Sequence, residues 1–349
     1  MKITEIAAPG HEHVVRVEDA ETGLRGIIAI HSTRLGPAAG GLRMRAYADE
    51  AAALEDALRL SRGMSFKNAA AGLPLGGGKA VIIGDPARDK SPELLAAFGR
   101  AVEALEGRYW TAEDMGMTPA DMARIGQETG FVAGLPDGDY ASGDPSPVTA
   151  RGIFNAIRTT ARHRFGVEDL NGRRVAVQGL GHVGLHLCAL LHQAGAALTV
   201  ADIHAASVQE AQERFGAQAV APEAILQVEA DILAPCAIGA VLNEETIPGL
   251  RVQAVAGGAN NQLATAEDGT RLHERGILYA PDFVANGGGI INVATEILRI
   301  DGRAAWVAEK LSALDATLDR ILTRAAALGV SPNDVAEGIA AERLSRQAA

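Results

Sequence analysis

Apolar positions along this chain follow two periods. Short apolar runs bounded by Gly, Pro or Asp mark strands, and stretches with apolar residues three and four apart mark helices. Gly26-Ile27-Ile28-Ala29-Ile30 predicts a strand, and Glu50 to Met64 predicts a helix with Leu54, Ala57, Leu58 and Met64 on one face. Val81-Ile82-Ile83 predicts a further strand, stopped by the turn residues Gly84-Asp85-Pro86. Ser91-Pro92-Glu93 opens another helix, with serine as cap and proline at the first helical position, where its missing N–H forfeits no bond.

Gly134 to Pro147 is crowded with Gly, Pro, Asp and Ser and marks a domain boundary. Beyond it the pattern becomes regular. Val175-Ala176-Val177-Gln178 is a strand, Gly179 to Gly184 a glycine-rich turn, Val183 to Gln193 a helix, and Leu198-Thr199-Val200-Ala201 the next strand. Apolar runs at Asp231 to Ala234, Val252 to Ala256 and Ile277 to Ala280 continue the alternation, which predicts a parallel, doubly wound sheet. The C-terminal part is helical. Leu311, Leu314, Leu318, Ile321 and Leu322 form a stripe for core packing or a subunit contact, and Ser331-Pro332-Asn333-Asp334 starts a last helix.

Composition narrows the function classes. At 349 residues the chain exceeds what one core serves comfortably, so two domains are expected. A net charge of −11 and an aromatic content of 4% argue against phosphate backbones, base stacking and anionic lipid. Cys188 and Cys236 give no disulfide framework or zinc motif, and His11 and His13 lack a second ligand pair. Met1-Lys2-Ile3-Thr4-Glu5 does not begin a signal segment, and no run approaches the roughly 20 apolar residues that span a bilayer. A cytoplasmic protein with no nucleic-acid or membrane partner and no metal is expected.

Gly179-Leu180-Gly181-His182-Val183-Gly184 matches G-x-G-x-x-G between a predicted strand and helix, with Asp202 closing the next strand 18 residues after Gly184. Gly179 permits the tight turn, Gly181 lets the backbone approach a pyrophosphate, and Gly184 allows close helix–strand packing. The helix N-terminus offers N–H donors to the anion. Asp202 suits two ribose hydroxyls and repels a 2′-phosphate, so the expected cofactor is NAD rather than NADP.

A second constellation lies upstream. Lys67 follows Met64-Ser65-Phe66, Lys79 follows Gly76-Gly77-Gly78, and Asp114 follows Thr111-Ala112-Glu113. The glycine-lysine loop is not a nucleoside-triphosphate loop, because Leu73 and Ala80 occupy the first glycine and the Ser/Thr positions. A dehydrogenase would use one fixed cation for a substrate carboxylate, a second buried lysine to activate water, and a carboxylate to shuttle protons. Ordinary surface charges remain the alternative from spacing alone.

These residues resemble the glutamate/leucine/phenylalanine/valine dehydrogenase family over nearly the whole chain. The resemblance is carried by Gly36-Pro37-Ala38-Ala39-Gly40-Gly41-Leu42-Arg43, the Met64 to Lys79 block, Thr111-Ala112-Glu113-Asp114 and Gly143-Asp144-Pro145-Ser146-Pro147-Val148-Thr149. It continues through the glycine fingerprint, Ala234-Pro235-Cys236-Ala237, Gly258-Ala259-Asn260-Asn261-Gln262 and Ala280 to Gly288. It implies an α/β chain of two domains, with an N-terminal α/β substrate and oligomerisation domain over 1–134 and a doubly wound Rossmann domain over 135–326. The C-terminal helices, 327–349, would pack back on the first domain in a homo-oligomer.

The implied reaction is reversible oxidative deamination of an L-amino acid to its 2-oxo acid and ammonia. Hydride passes from the substrate Cα to nicotinamide C4 in a cleft that closes against water. Lys67 and Asn261 would hold the α-carboxylate, Lys79 would activate water, and Asp114 would serve as general acid/base. Thr149 would contact the nicotinamide amide, and His182, Val183, Ile203, Cys236, Ala237 and Asn261 would join Gly179, Gly181, Gly184 and Asp202 around the dinucleotide. Ala39, Gly40, Met64, Ala112, Ile290 and Val293 would surround the substrate side chain.

Glutamate-specific relatives carry lysine at the position of Ala39 and leucine-specific ones usually leucine, so the resemblance implies an apolar substrate and a larger pocket. Tyr109-Trp110-Thr111 and Leu278 to Phe283 resemble phenylalanine-type members, whereas Gly289-Ile290-Ile291-Asn292-Val293-Ala294 resembles leucine-type ones. Leucine/valine and phenylalanine both stay open, as does another bulky or unusual amino acid. A non-enzymatic dinucleotide sensor would not need Lys67, Lys79 and Asp114 together, and a 2-hydroxy-acid dehydrogenase would show a His paired with a carboxylate beside an Arg.

Overall fold

The computed structural model describes residues 1–345. The chain forms two units, one made of Met1–Pro145, Asn292–Val307 and the chain from Ala340, the other of Ser146–Ile291 and Ala308–Ile339.

The first unit is built on a mixed sheet. Its strands are β1 (Lys2–Glu5), β2 (His13–Asp19), β3 (Leu24–Ser32), β4 (Ala38–Ala39), β5 (Leu42–Arg45), β6 (Gly76–Ile83) and β7 (Tyr109–Trp110). They run in the order β1-β2-β3-β6-β4-β7, with β5 also paired to β6. Helix α1 (Glu50–Ala70) covers one face, packing Ala53 and Ala57 on Val14, Ile27 and Val81. Helices α2 (Pro92–Glu103) and α3 (Pro119–Ile125) cover the other, around Phe98, Met122 and Tyr109. Helix starts follow their caps: Asp49 accepts from the Ala52 N–H at 2.8 Å and Ser91 from the Leu94 N–H at 3.2 Å. Helix α1 runs past Met64 to Ala70 because Ser65 and Asn68, small and polar, lie fully buried against the glycines of β6.

The second unit opens with α4 (Ser146–Phe165), then β8 (Arg174–Gln178), α5 (His182–Gln193), β9 (Ala197–Ala201), α6 (Ala205–Phe215) and β10 (Gln218–Ala219). Strands β11 (Ile232–Pro235), β12 (Ala254–Val255) and β13 (Leu278–Tyr279) follow, with α7 (Glu267–Glu274) before β13. The sheet is parallel throughout, in the order β10-β9-β8-β11-β12-β13, which is the doubly wound arrangement expected of a dinucleotide fold. After α8 (Asp282–Ala285) and α9 (Gly288–Ile297), α10 (Arg303–Leu328) buries Leu311, Leu314, Leu318, Ile321 and Leu322, and α11 (Pro332–Ser345) closes the described chain. That leucine stripe is core: its residues line a small gap with Gly152 and Ala156 of α4.

The division differs from the expected one in two places. Segment 135–145 belongs to the first unit because Glu296 accepts backbone N–H bonds from Gly134 at 2.7 Å and Ser142 at 3.0 Å. Asn292 and Arg303 bind the Ser142 and Ala141 carbonyls, which brings 292–307 with it. Residues 327–339 stay with the second unit, and the return to the first begins at Ala340, where Arg343 donates to the Ala69 and Ala70 carbonyls. The last part of the expected C-terminal element, 346–349, lies outside the described residues.

Candidate active site

In the first unit the glycine run makes room for chemistry. A Cβ on Gly77 would stand 2.1 Å from the Ser65 nitrogen of α1, and one on Gly78 would stand 2.6 Å from the Tyr109 ring. Strand β6 therefore lies tight between helix and core, and Lys79, the next residue, is only 5% exposed. Its Nζ meets Asp114 Oδ2 at 2.7 Å. The pair is not a set of surface charges. Burial alone would raise the Asp114 pKa, but Lys79 and Arg43 outweigh it and hold the carboxyl at about 2. Asp114 is thus an anion at neutral pH.

Lys67 sits half-buried on α1, one turn beyond the half-buried Met64. Gly40 lies under Met64: a Cβ there would be 3.1 Å from Met64 Cγ and would collide with the Gly78 carbonyl. Ala112 is buried beside Asp114 in sequence, and the Leu42 N–H donates to its carbonyl at 2.8 Å. Ala39 departs from expectation. It has no accessible surface, because β6 and β7 flank it and its partner Gly77 lies on the face that Ser65 closes.

Arg43, quoted within a motif but given no role from sequence, also reaches this cluster, donating from Nε to Asp114 Oδ2 at 3.0 Å. The signal was local: Leu42 and Met44 are fully buried in the core, so β5 alternation turns Arg43 to the other face.

In the second unit the turns after β8 and β11 meet where the strand order reverses. Gly179 has φ +96°, and a Cβ on it would lie 2.7 Å from Ala237. A Cβ on Gly184 would lie 2.0 Å from the Gly179 carbonyl oxygen, so only glycine lets α5 approach. Gly181, the N-cap of α5, is exposed with nothing within 4 Å of its would-be Cβ, and no side chain caps the helix. His182 is exposed and Val183 half-buried in the first turn of α5. Asp202, after β9, accepts from the Leu180 N–H at 2.6 Å and from the His204 N–H at 2.8 Å. Ile203 beside it is 82% exposed. Cys236 is tied to β8 by its N–H, 2.6 Å from the Gln178 carbonyl oxygen.

The free helix terminus, the open space over Gly181 and the carboxylate at the end of β9 fit a dinucleotide. Thr149 lies in the first turn of α4, and a Cβ on Gly288 would stand 3.0 Å from its Cα. Asn261 is an exposed residue with φ +52°. Ile290 falls in the second unit and Val293 in the first, both 8% exposed.

Residues 11–130 match the model of the Glu/Leu/Phe/Val dehydrogenase dimerisation domain, and residues 142–211 and 198–333 match that of the glutamate/leucine/phenylalanine/valine dehydrogenases. The chain belongs to this family. It is therefore an oxidoreductase of amino acids, and the family's dehydrogenases use a nicotinamide nucleotide, NAD or NADP. It is 48% identical to a leucine dehydrogenase of Bacillus subtilis (strain 168), over 96% of this chain and 92% of the relative. It is 50% identical to a phenylalanine dehydrogenase of Bacillus thermotolerans, over 83% of this chain and 78% of that one. The crystal structure of L-tryptophan dehydrogenase from Nostoc punctiforme superposes with a TM-score of 0.82 at 42% identity, covering 96% of both chains. No helix among the described residues is long and apolar enough to cross a membrane.

Proposed function

We propose that this family member catalyses the NAD-linked, reversible oxidative deamination of an apolar L-amino acid to its 2-oxo acid and ammonia. The observation that carries the reading is the buried contact of 2.7 Å between Lys79 Nζ and Asp114 Oδ2. Lys67 binds the substrate α-carboxylate. Asp114 takes a proton from the substrate amino group, and Lys79 draws a proton from water as it adds to the imino carbon.

NAD, when bound, supplies the hydride acceptor. Gly179, Gly181, His182, Val183 and Gly184 would hold its pyrophosphate at the start of α5. Asp202 and Ile203 would bind the adenosine, and Cys236, Ala237 and Thr149 would hold the rest of the dinucleotide. Asp202 selects NAD, because its carboxylate meets a 2′-phosphate with like charge. Gly40, Met64 and Ala112 of the first unit offer the substrate side chain no opposite charge for a distal carboxylate. The enzyme acts as a homo-oligomer in the cytoplasm, in keeping with two unbridged cysteines.

A bulky aromatic substrate is a second reading, favoured by the likeness to tryptophan dehydrogenase. The test is NADH oxidation with a panel of 2-oxo acids, with and without ammonia. Ammonia-dependent turnover with the oxo acids of leucine, valine, phenylalanine or tryptophan is expected. Ammonia-independent turnover, or a preference for 2-oxoglutarate, overturns the proposal.

A further inference from the structure

We propose that Arg43 is a positioning residue for Asp114: clamped from behind by Asp56 and Tyr47, it holds one carboxylate oxygen so that the other is presented to the substrate amino group. This rests on Asp114 being the proton carrier.

The guanidinium uses two separate edges. Its Nε donates to Asp114 Oδ2 and its Nη1 to Asp56 Oδ2, each at 3.0 Å. Asp56 is itself immobilised, accepting from the Tyr47 hydroxyl at 2.7 Å and from Arg59 at 3.0 Å. Arg43 therefore cannot swing away without breaking a second ion pair. The side chains of Arg43 and Asp56 are 11% and 12% exposed, so water screens this bridge far less than it would a surface pair.

Lys79 and Arg43 both address Oδ2 of Asp114. Two cations on one oxygen, with the Met115 backbone N–H as a further donor to the carboxylate, restrict its rotation. Asp56 also lies on α1, eleven residues before Lys67 and so on nearly the same helical face. The bridge thus ties the base to the helix that carries the carboxylate-binding lysine. A lysine at position 43 supplies charge but has no planar fork to span both carboxylates. The elevated pKa of Arg43, driven up by Asp114 and Asp56 against its burial, agrees with this arrangement.

The experiment is a double-mutant cycle in the intact enzyme, with Arg43→Gln, Asp114→Asn and the double variant measured by kcat, KM and thermal melting. Arg43→Gln is expected to lower kcat about 10²-fold, the scale of a misplaced catalytic group, with KM for NAD and the amino acid far less affected. Arg43→Lys recovers part of that loss, and Asp56→Asn loses less than Arg43→Gln. In the Asp114→Asn background Arg43→Gln costs nothing further. If it costs as much there as in the wild type, Arg43 acts elsewhere and the inference falls. Full turnover of Arg43→Gln beside a slow Asp114→Asn overturns it while leaving the base assignment standing. A fast Asp114→Asn overturns the base assignment and this inference together. Should Arg43→Gln melt below assay temperature, Arg43→Lys and Asp56→Asn run through the same cycle decide the matter.

Discussion

Gly41 and Asp114 are so close that a Cβ on Gly41 would stand 2.8 Å from Asp114 Cβ, with the Glu113 carbonyl oxygen as near. Asp114 occupies the space of a missing side chain. Gly41→Ala must push Asp114 away from Lys79, so kcat is expected to fall about 10²-fold. Overpacking also lowers stability by about 1–3 kcal/mol. Steady-state kinetics and a melting curve check this, and wild-type turnover would show that the fit is not needed.

The three charged residues separate by kinetic signature. Asp114→Asn and Lys79→Ala are expected to depress kcat by about 10²–10⁴-fold with NAD binding intact. Lys67→Ala instead raises KM for the amino acid most, because it removes a contact already present in the ground state. A Lys67→Ala enzyme with unchanged KM would remove that lysine from the carboxylate site.

Much of this could be followed from sequence, and the limits were physical. The dinucleotide half was legible because its turn chemistry is local: strand, glycines, helix and Asp202 lie in one short stretch. Lys79 and Asp114 stand 35 residues apart, and nothing in their spacing brings them to contact; resemblance supplied the pairing. Strand β2 is hard to read from sequence because Val14 and Val15 are both buried before the alternation of Val17 and Asp19 sets in. Helix α4 follows a Gly- and Pro-rich boundary directly, which masks the recurrence of Ile153, Ile157 and Ala161 every four residues. Burial of Ala39 comes from β6 and β7 on either side of it and from α1 over its partner Gly77, a tertiary fact no window contains.

The proposed choice of NAD rests on Asp202, and its bond from the Leu180 N–H complicates the obvious variant. Asp202→Asn keeps an acceptor for that N–H and removes only the charge. It should raise kcat/KM for NADP relative to NAD, whereas Asp202→Ala should also weaken NAD by loosening the turn. Equal use of NAD and NADP by the wild type would refute the assignment.

Ala39→Leu tests the substrate wall. Full burial predicts overpacking of about 1–3 kcal/mol, read as a lowered Tm. Any pocket volume lost should also turn preference toward smaller aliphatic substrates. An unchanged phenylalanine-to-valine ratio with a lowered Tm would place Ala39 in the sheet and not in the pocket.

His31 makes stability pH-dependent. Burial, with His11 and Arg62 nearby and only Glu12 opposing, lowers its pKa to about 4, while its Nδ1 lies 2.8 Å from Ser65 Oγ. The unfolded chain protonates first, so stability is full above about 6.5 and declines as pH falls toward 4. Denaturation midpoints across that window should fall less steeply in His31→Gln. A parallel fall in both proteins would assign the effect to other groups.

The bonds from Glu296 also set an order of events in time. Ser142 leaves the ribosome 154 residues before the carboxylate that accepts its N–H, an interval of about 8–30 s at roughly 5–20 residues per second. Everything from Ser146 to Ile291 emerges in between. A nascent chain stalled before Glu296 therefore leaves the 134–142 loop without its anchor, open to chaperones and proteases.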